Sequence, residues 1–389
     1  MTTQYVYPGP ERVFHDAVAA DELPGVLERY GYERAFIVCS KTLNRTTDVV
    51  SGIRQALRGR CVGLTDAVRE HAPVGDVLAV AQMLRDADAD VMVSIGGGSV
   101  MDLAKFAQLC VTEGVTTREG LEAYRSAARG RFGDMMPVSR AAPAIRHIAV
   151  ATTLSTGEVT PGGTPVDELT GRKSGYLVRD GAPQVLIYDP DIILHTPRDL
   201  LISTGVRGLD HAINTLCGMD PEPLSGLLAA KAAQLFVENL KDVSGPTSTR
   251  EARSNCQRAS FYTGLGQLSV AHGFSHAMVH VIAPLVGAPH SWTACVCMLA
   301  QARWQEGHAS EQHRMVLELL GRPDARLHEV LHDFLVELGM PTTLAELGFT
   351  DDHLDRAIEY GLANEHVVTN NLRPITTAAE LRAVLALAA

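Results

Sequence analysis

The sequence predicts an α/β half, a parallel sheet with helices on both faces, followed by an all-helical half. Three observations carry this. Residues 35–40, 61–64, 90–95 and 148–150 are short apolar runs rich in β-branched side chains, as in strands buried on both faces. Helix-period stretches at 42–57 and 74–85 separate the first three, and such alternation argues for a parallel sheet. Beyond about residue 195 the strand-like runs give way to long helical stretches at 199–217, 225–240, 250–269, 276–284 and 293–305. The expected domains are 1–192 and 193–389.

Ala35–Ser40 reads as the first core strand, after an amphipathic stretch around Leu23–Tyr30, and Cys61–Leu64 as the second. Val77, Val80, Ala81 and Leu84 mark one side of the helix that follows. Asp90–Ile95 then runs into Gly96-Gly97-Gly98-Ser99, after which Leu103, Phe106, Ala107 and Cys110 recur at helical spacing. Glycines at a strand-to-helix junction let the backbone approach a bulky anion without Cβ clashes. The helix start offers it unpaired N–H groups and a positive dipole end. A pyrophosphate is the expected guest. Ile148–Val150 leads into a hydroxyl-rich loop with Thr152, Thr153 and Ser155; Gly171-Arg172-Lys173 reads as a β-ribbon and Val185–Pro190 as the last strand. Ligands of such sheets bind at the carboxyl ends of the strands, where Ser40 and Gly96 stand.

Composition narrows the function classes. The 389 residues carry a net charge of −11, which speaks against nucleic acid or an anionic membrane as partner, and only 5% aromatics, too few for stacking platforms. Seven cysteines occur without a C-x-x-C pair, the usage of a reduced, cytoplasmic protein. Residues 1–11 lack the apolar core of a signal peptide. The most apolar stretch, about 277–300, contains His280, Pro284, Pro289 and His290, which argues against a membrane span.

Gly96-Gly97-Gly98-Ser99-Val100-Met101-Asp102-Leu103-Ala104-Lys105 matches G-G-G-S-x-x-D-x-A-K. In this the chain resembles the iron-containing alcohol dehydrogenase family. The loop 151–161 is one residue shorter than the family's P-T-T-A-G-T-G-S-E-V-T and lacks its proline, as in the maleylacetate reductase branch; Asn371-Leu372-Arg373-Pro374-Ile375-Thr376 is similar to that branch's N-P-R-P-x-T. The resemblance implies a dehydroquinate synthase-like fold, an active site in the cleft between the halves, a homodimer and a NAD or NADP cofactor. It places Ser40, Gly96, Gly97, Gly98, Ser99, Asp102, Thr152, Thr153, Ser155 and Lys173 at that cofactor. Ser40 stands where the family commonly has an aspartate, so a 2′-phosphate meets no carboxylate and NADPH should be accepted.

In the helical half, Thr204–Ile213 resembles T-G-x-D-x-x-x-H-A-I, whose Asp and His bind the family's metal. Here the Asp position is Arg207, while His211 is kept. His276 and His290, fourteen apart, match the other two metal ligands, and His280 a histidine near the nicotinamide. A guanidinium cannot ligate a metal, and at ~4 Å and an effective dielectric of ~20 it would repel a dication by several kcal/mol. Asp210, adjacent to His211, points to another face and is no ready substitute. The expectation is therefore no metal, with His211, His276 and His290 as the ligands if one is bound. An arginine in a histidine-lined cleft suits a substrate carboxylate.

The function expected from the resemblance is a metal-independent NAD(P)-dependent oxidoreductase. It would move a hydride between nicotinamide and a carboxylate-bearing hydroxy or keto substrate. Arg207 or protonated histidines, among them His211 and His290, would stabilise the alkoxide, and His276 or His280 would relay the proton. Alternatives are oxidative decarboxylation of a β-hydroxy acid (a peptide C-terminal threonine is one case), a metal-dependent alcohol dehydrogenase, a dehydroquinate synthase-like cyclase, and a binding module without catalysis.

Overall fold

The computed structural model describes residues 7, 9–125, 141–218, 223–364, 367 and 370–389. These fall into two compact units that divide at Pro197/Arg198.

The first unit begins with β1 (Arg12–Phe14), α1 (Ala19–Tyr30), β2 (Ala35–Cys39), α2 (Lys41–Thr46), α3 (Val49–Ala56) and β3 (Cys61–Thr65). It continues through α4 (Val74–Asp86), β4 (Val91–Gly96), α5 (Gly98–Thr112), α6 (Arg118–Glu122) and β5 (Arg146–Ala151). Four two-residue strands follow, β6 (Gly162–Gly163), β7 (Val166–Asp167), β8 (Arg172–Lys173) and β9 (Tyr176–Leu177), and then β10 (Val185–Ile187). Six strands form one sheet in the order β1-β10-β5-β4-β2-β3, every pair parallel. The alternation of side chains along the strands supplies two cores. Ile37, Val91, Val93, Ile95, Ile148 and Val150 pack with Leu23 and Val26 of α1 on one face. Phe36, Val38 and Met92 pack with Val77 of α4 and Leu103 and Phe106 of α5 on the other. The parallel sheet with helices on both faces is as the sequence predicts.

Three details differ from expectation. β1 has no counterpart in the sequence reading, because three half-exposed residues at a sheet edge carry too little pattern. The single helix expected over 42–57 is two: Thr47 turns extended and its hydroxyl bonds back to the Leu43 carbonyl at 2.6 Å, ending α2. The glycine turn is tighter than expected, since Gly96 ends β4, Gly98 opens α5 and Gly97 alone joins them.

The second unit is helical: α7 (Arg198–Cys217), α8 (Pro223–Asn239), α9 (Arg250–Gln267), α10 (Phe274–Val286), α11 (His290–Trp304), α12 (Ser310–Leu319), α13 (Leu327–Glu337), α14 (Asp351–Leu362) and α15 (Ala378–Ala386). Phe274, Met278 and Ile282 of α10 pack against Val296 and Ala300 of α11 and Leu381 and Val384 of α15. Among the described residues no helix is long and apolar enough to cross a membrane.

Candidate active site

In the first unit the glycine turn and the loop after β5 are built against each other. Thr152 N–H donates to the Gly96 carbonyl at 3.0 Å. A Cβ on Gly97 would stand 2.7 Å from Thr153 Cγ2, and one on Gly98 3.4 Å from Ser155 Oγ. Thr153 Oγ1 and Ser155 Oγ are 3.3 Å apart. Gly97 has an ordinary negative φ of −91°, so close approach and not backbone strain calls for glycine here. Among the described residues the N–H groups of Gly98 and Ser99, the first of α5, have no acceptor. Open N–H groups at a fifteen-residue helix start, walled by three hydroxyls, fit a pyrophosphate.

Two members of the signature have other duties. Ser99 Oγ accepts from His71 N–H at 3.0 Å. Asp102 pairs with the fully buried Lys105 at 3.2 Å. Lys105 Nζ also donates to the carbonyls of Gly157 (2.6 Å) and Gly162 (2.8 Å), so it pins α5 to the loop that covers the turn. Ser40, at the end of β2, caps α2 by accepting from Leu43 N–H at 3.1 Å, and its own N–H bonds Ile95 O in the neighbouring strand. Lys173 is exposed on β8, and no bond among the described residues ties it to the glycine turn. A separate cavity of ≈ 600 Å³ between α6 and the β7–β8 ribbon excludes the turn. Three of its charged wall residues are already engaged, Arg118 with Asp167 at 3.0 Å and Glu122 with Tyr176 OH at 3.2 Å.

In the second unit α7, the turn before α10, α10 itself and the start of α11 bring five histidines into a row. His290 is the first residue of α11, after Pro289 at its N-cap. Its ring meets His280 edge-on at 5.3 Å, and His280 meets His276 at 5.2 Å. His276 stacks on His272 at 3.9 Å and 12°, and His211 lies 5.2 Å from His276 and 5.5 Å from His272. His211 is buried, His276 and His272 are half-buried, and His280 and His290 are exposed.

Arg207 sits beside this row. Its Nη1 donates to Asp210 Oδ2 at 2.8 Å and its Nη2 to His276 Nδ1 at 3.1 Å. Asp210 is fully buried and also accepts from Ser275 Oγ and, at 3.0 Å, from Asn214 Nδ2. Burial pushes its carboxyl up from the usual range, against the opposing pull of Arg207. Burial, reinforced by Arg207 and the other histidines, holds His211 and His276 well below the ordinary imidazole value, and both are neutral.

His211, His276, His280 and His290 of the sequence reading thus come together around Arg207. His272 and Asp210 were missed as members. The sequence reading points Asp210 to another face, yet its carboxylate meets Arg207, and the spacing of three is that of a helical ion pair. His272 lies before α10 begins, where helical spacing gives no signal.

A metal does not fit this donor set. The nitrogens of His211, His272 and His276 approach within 4.8 Å of one another, so His272 replaces His290 in the expected trio. An ion ~2.0–2.1 Å from two imidazole nitrogens must lie in both ring planes, which the near-parallel stack of His272 on His276 prevents. Arg207 occupies His276 Nδ1, and Asp210, the carboxylate beside them, is spent on Arg207, Ser275 and Asn214.

Residues 10–190 match the family model described as iron-containing alcohol dehydrogenase, and residues 201–388 that of the Fe-containing alcohol dehydrogenase family, C-terminal. The chain belongs to the iron-containing alcohol dehydrogenase family. Membership makes it an oxidoreductase acting on a CH–OH or C=O group. It is 27% identical over 383 residues to a maleylacetate reductase of Sphingobium indicum, covering 96% of this chain and 94% of that one. It is 28% identical over 373 residues to a 4-hydroxybutyrate dehydrogenase of Cupriavidus necator, covering 91% and 92%. In fold it is similar to the sulfoacetaldehyde reductase of Bifidobacterium kashiwanohense, solved in complex with NAD+, with TM-score 0.85, 22% identity and coverage of 100% and 99%.

Proposed function

We propose that this iron-containing alcohol dehydrogenase family member works without a metal, using NAD or NADP on a hydroxy or keto substrate that carries a carboxylate. The observation that carries the reading is Arg207. It stands at the position matched to the family's metal-binding aspartate, anchored by a buried Asp210 and in contact with His276. Among the described residues two of its N–H donors are taken, which leaves the others for a planar, bidentate anion. The names of the relatives agree with an anionic substrate, since maleylacetate, 4-hydroxybutyrate and sulfoacetaldehyde all bear an acid group.

The N–H groups of Gly98 and Ser99 and the hydroxyls of Thr152, Thr153 and Ser155 hold the cofactor phosphates. When bound, the nicotinamide supplies or accepts the hydride at its C4. Ser40 leaves room for a 2′-phosphate, so NADPH is accepted. Arg207 fixes the substrate through its carboxylate, and the histidine row beside it stabilises negative charge on the reacting oxygen and supplies its proton. The three clustered histidine nitrogens favour a metal-dependent reading as the rival. Metal analysis of the purified protein, with activity measured after chelation, separates the two: stoichiometric metal with activity lost on chelation and regained on adding metal back overturns the metal-free reading.

A further inference from the structure

We infer that Asp210, acting through Arg207, fixes His276 as a hydrogen-bond donor at Nε2, and that the transferable proton therefore belongs to His280. The inference rests on the reading of this cluster as the catalytic one. A guanidinium donates and never accepts, so in the 3.1 Å contact His276 Nδ1 is the acceptor. A neutral imidazole whose Nδ1 accepts carries its proton on Nε2. Arg207 does not surrender a proton at any ordinary pH. His276 thus has no way to regain a proton at Nδ1 while releasing one from Nε2. It stabilises a developing oxyanion but cannot deliver a net proton to it.

His280 differs on each point. It is exposed, it touches His276 edge-on, and its other neighbour His290 is exposed as well, so a proton given up is replaced from water. In the reducing direction the hydride forms the new C–H bond, the carbonyl π pair moves to oxygen, and that oxygen takes its proton from His280. Asp210 is a positioning residue in this scheme. Held by Ser275 and Asn214, it sets the direction from which Arg207 reaches His276.

The test is nitrogen NMR of the full chain labelled at histidine, with the His276 signals identified by their loss in His276→Gln. The expected wild-type result is a bare Nδ1 and a protonated Nε2; a proton on Nδ1 overturns the inference. In Asp210→Asn the guanidinium loses its anchor and both tautomers should be seen, whereas a single wild-type tautomer in the folded variant removes Asp210 from the account. Should Asp210→Asn not fold, Ser275→Ala takes its place with the same two readings. On one hydroxy acid that the enzyme turns over, His276→Gln keeps an amide donor and should lower kcat less than about tenfold, and His280→Gln by about a hundredfold or more. Equal losses, or the reverse order, refute the division of labour. A wild-type tautomer as expected, with no preference for carboxylate substrates, counts against the proposed function and not against this inference.

Discussion

Arg207 and Asp210 stand one turn apart on α7, and the guanidinium of the first reaches the fully buried carboxylate of the second at 2.8 Å. Arg207 is itself 18% exposed, so one end of the pair is sealed in the helical unit and the other can meet a ligand. Burial alone would favour the protonated acid, and Arg207 opposes that. Removing one partner of a buried pair typically costs ~3–5 kcal/mol, because the other charge is stranded. Asp210→Ala should therefore destabilise the protein by about that much in chemical denaturation.

The glycine cradle is tested at Gly98. A Cβ there would lie 3.4 Å from the flexible Ser155 Oγ, whereas one on Gly97 would collide with Thr153 and confuse ligand loss with misfolding. Gly98→Ala should keep its melting temperature and lose cofactor affinity by at least about tenfold, or 1.4 kcal/mol, in a nicotinamide fluorescence titration. Unchanged affinity would remove the cofactor from this turn.

Ser40 caps α2, and aspartate caps as well as serine. Ser40→Asp should therefore fold normally while adding a like charge against a 2′-phosphate, a penalty of ~1–2 kcal/mol for NADPH relative to NADH. A wild-type enzyme that already rejects NADPH would show that position 40 does not set this choice.

His147 supplies a pH signature of the first unit. It is buried, its Nε2 pairs with Ser94 Oγ at 2.6 Å, and burial, with Lys105 and Arg146, depresses it to about 3. Its folded value lies below the unfolded one near 6.5. Its stabilising effect is thus complete above about pH 6.5 and is lost as the pH falls toward 3, reaching ~2 kcal/mol at about pH 5. Denaturation of wild type and His147→Gln at pH 7 and 5 should show wild type losing about that much more; parallel losses would contradict it.

Much of this architecture is legible in the chain, and the exceptions have physical causes. Val91–Ile95 is apolar at every position but Ser94 because both faces of the central strand are covered, so run, glycines and helix are read together. Gly162–Leu177 forms two ribbons of two-residue strands, which are too short to carry an alternation. Arg207, His211, His276, His280 and His290 are found because these positions match motifs of the family that the chain resembles. His272 escapes because its partnership with His276 is a ring stack formed across a non-helical turn.

The metal-free reading is checked by elemental analysis of protein purified without chelator. Well under one equivalent of iron or zinc is expected, with activity unchanged after EDTA, because Arg207 occupies His276 Nδ1 and the near-parallel His272 and His276 rings cannot both aim a nitrogen at one ion. One tightly held equivalent would mean that the rings reorient around an ion.

The most direct measurement compares kcat/KM for 4-hydroxybutyrate and for 1,4-butanediol, a matched pair with and without the carboxylate, in wild type and Arg207→Met. The acid should be favoured in wild type, and the variant should lose about two to three orders of magnitude on the acid alone, the ~2–5 kcal/mol of a broken, desolvated charge pair, with cofactor affinity unchanged. Equal turnover of the two alcohols in wild type, or a preference for the acid that survives in Arg207→Met, would contradict the role assigned to this arginine.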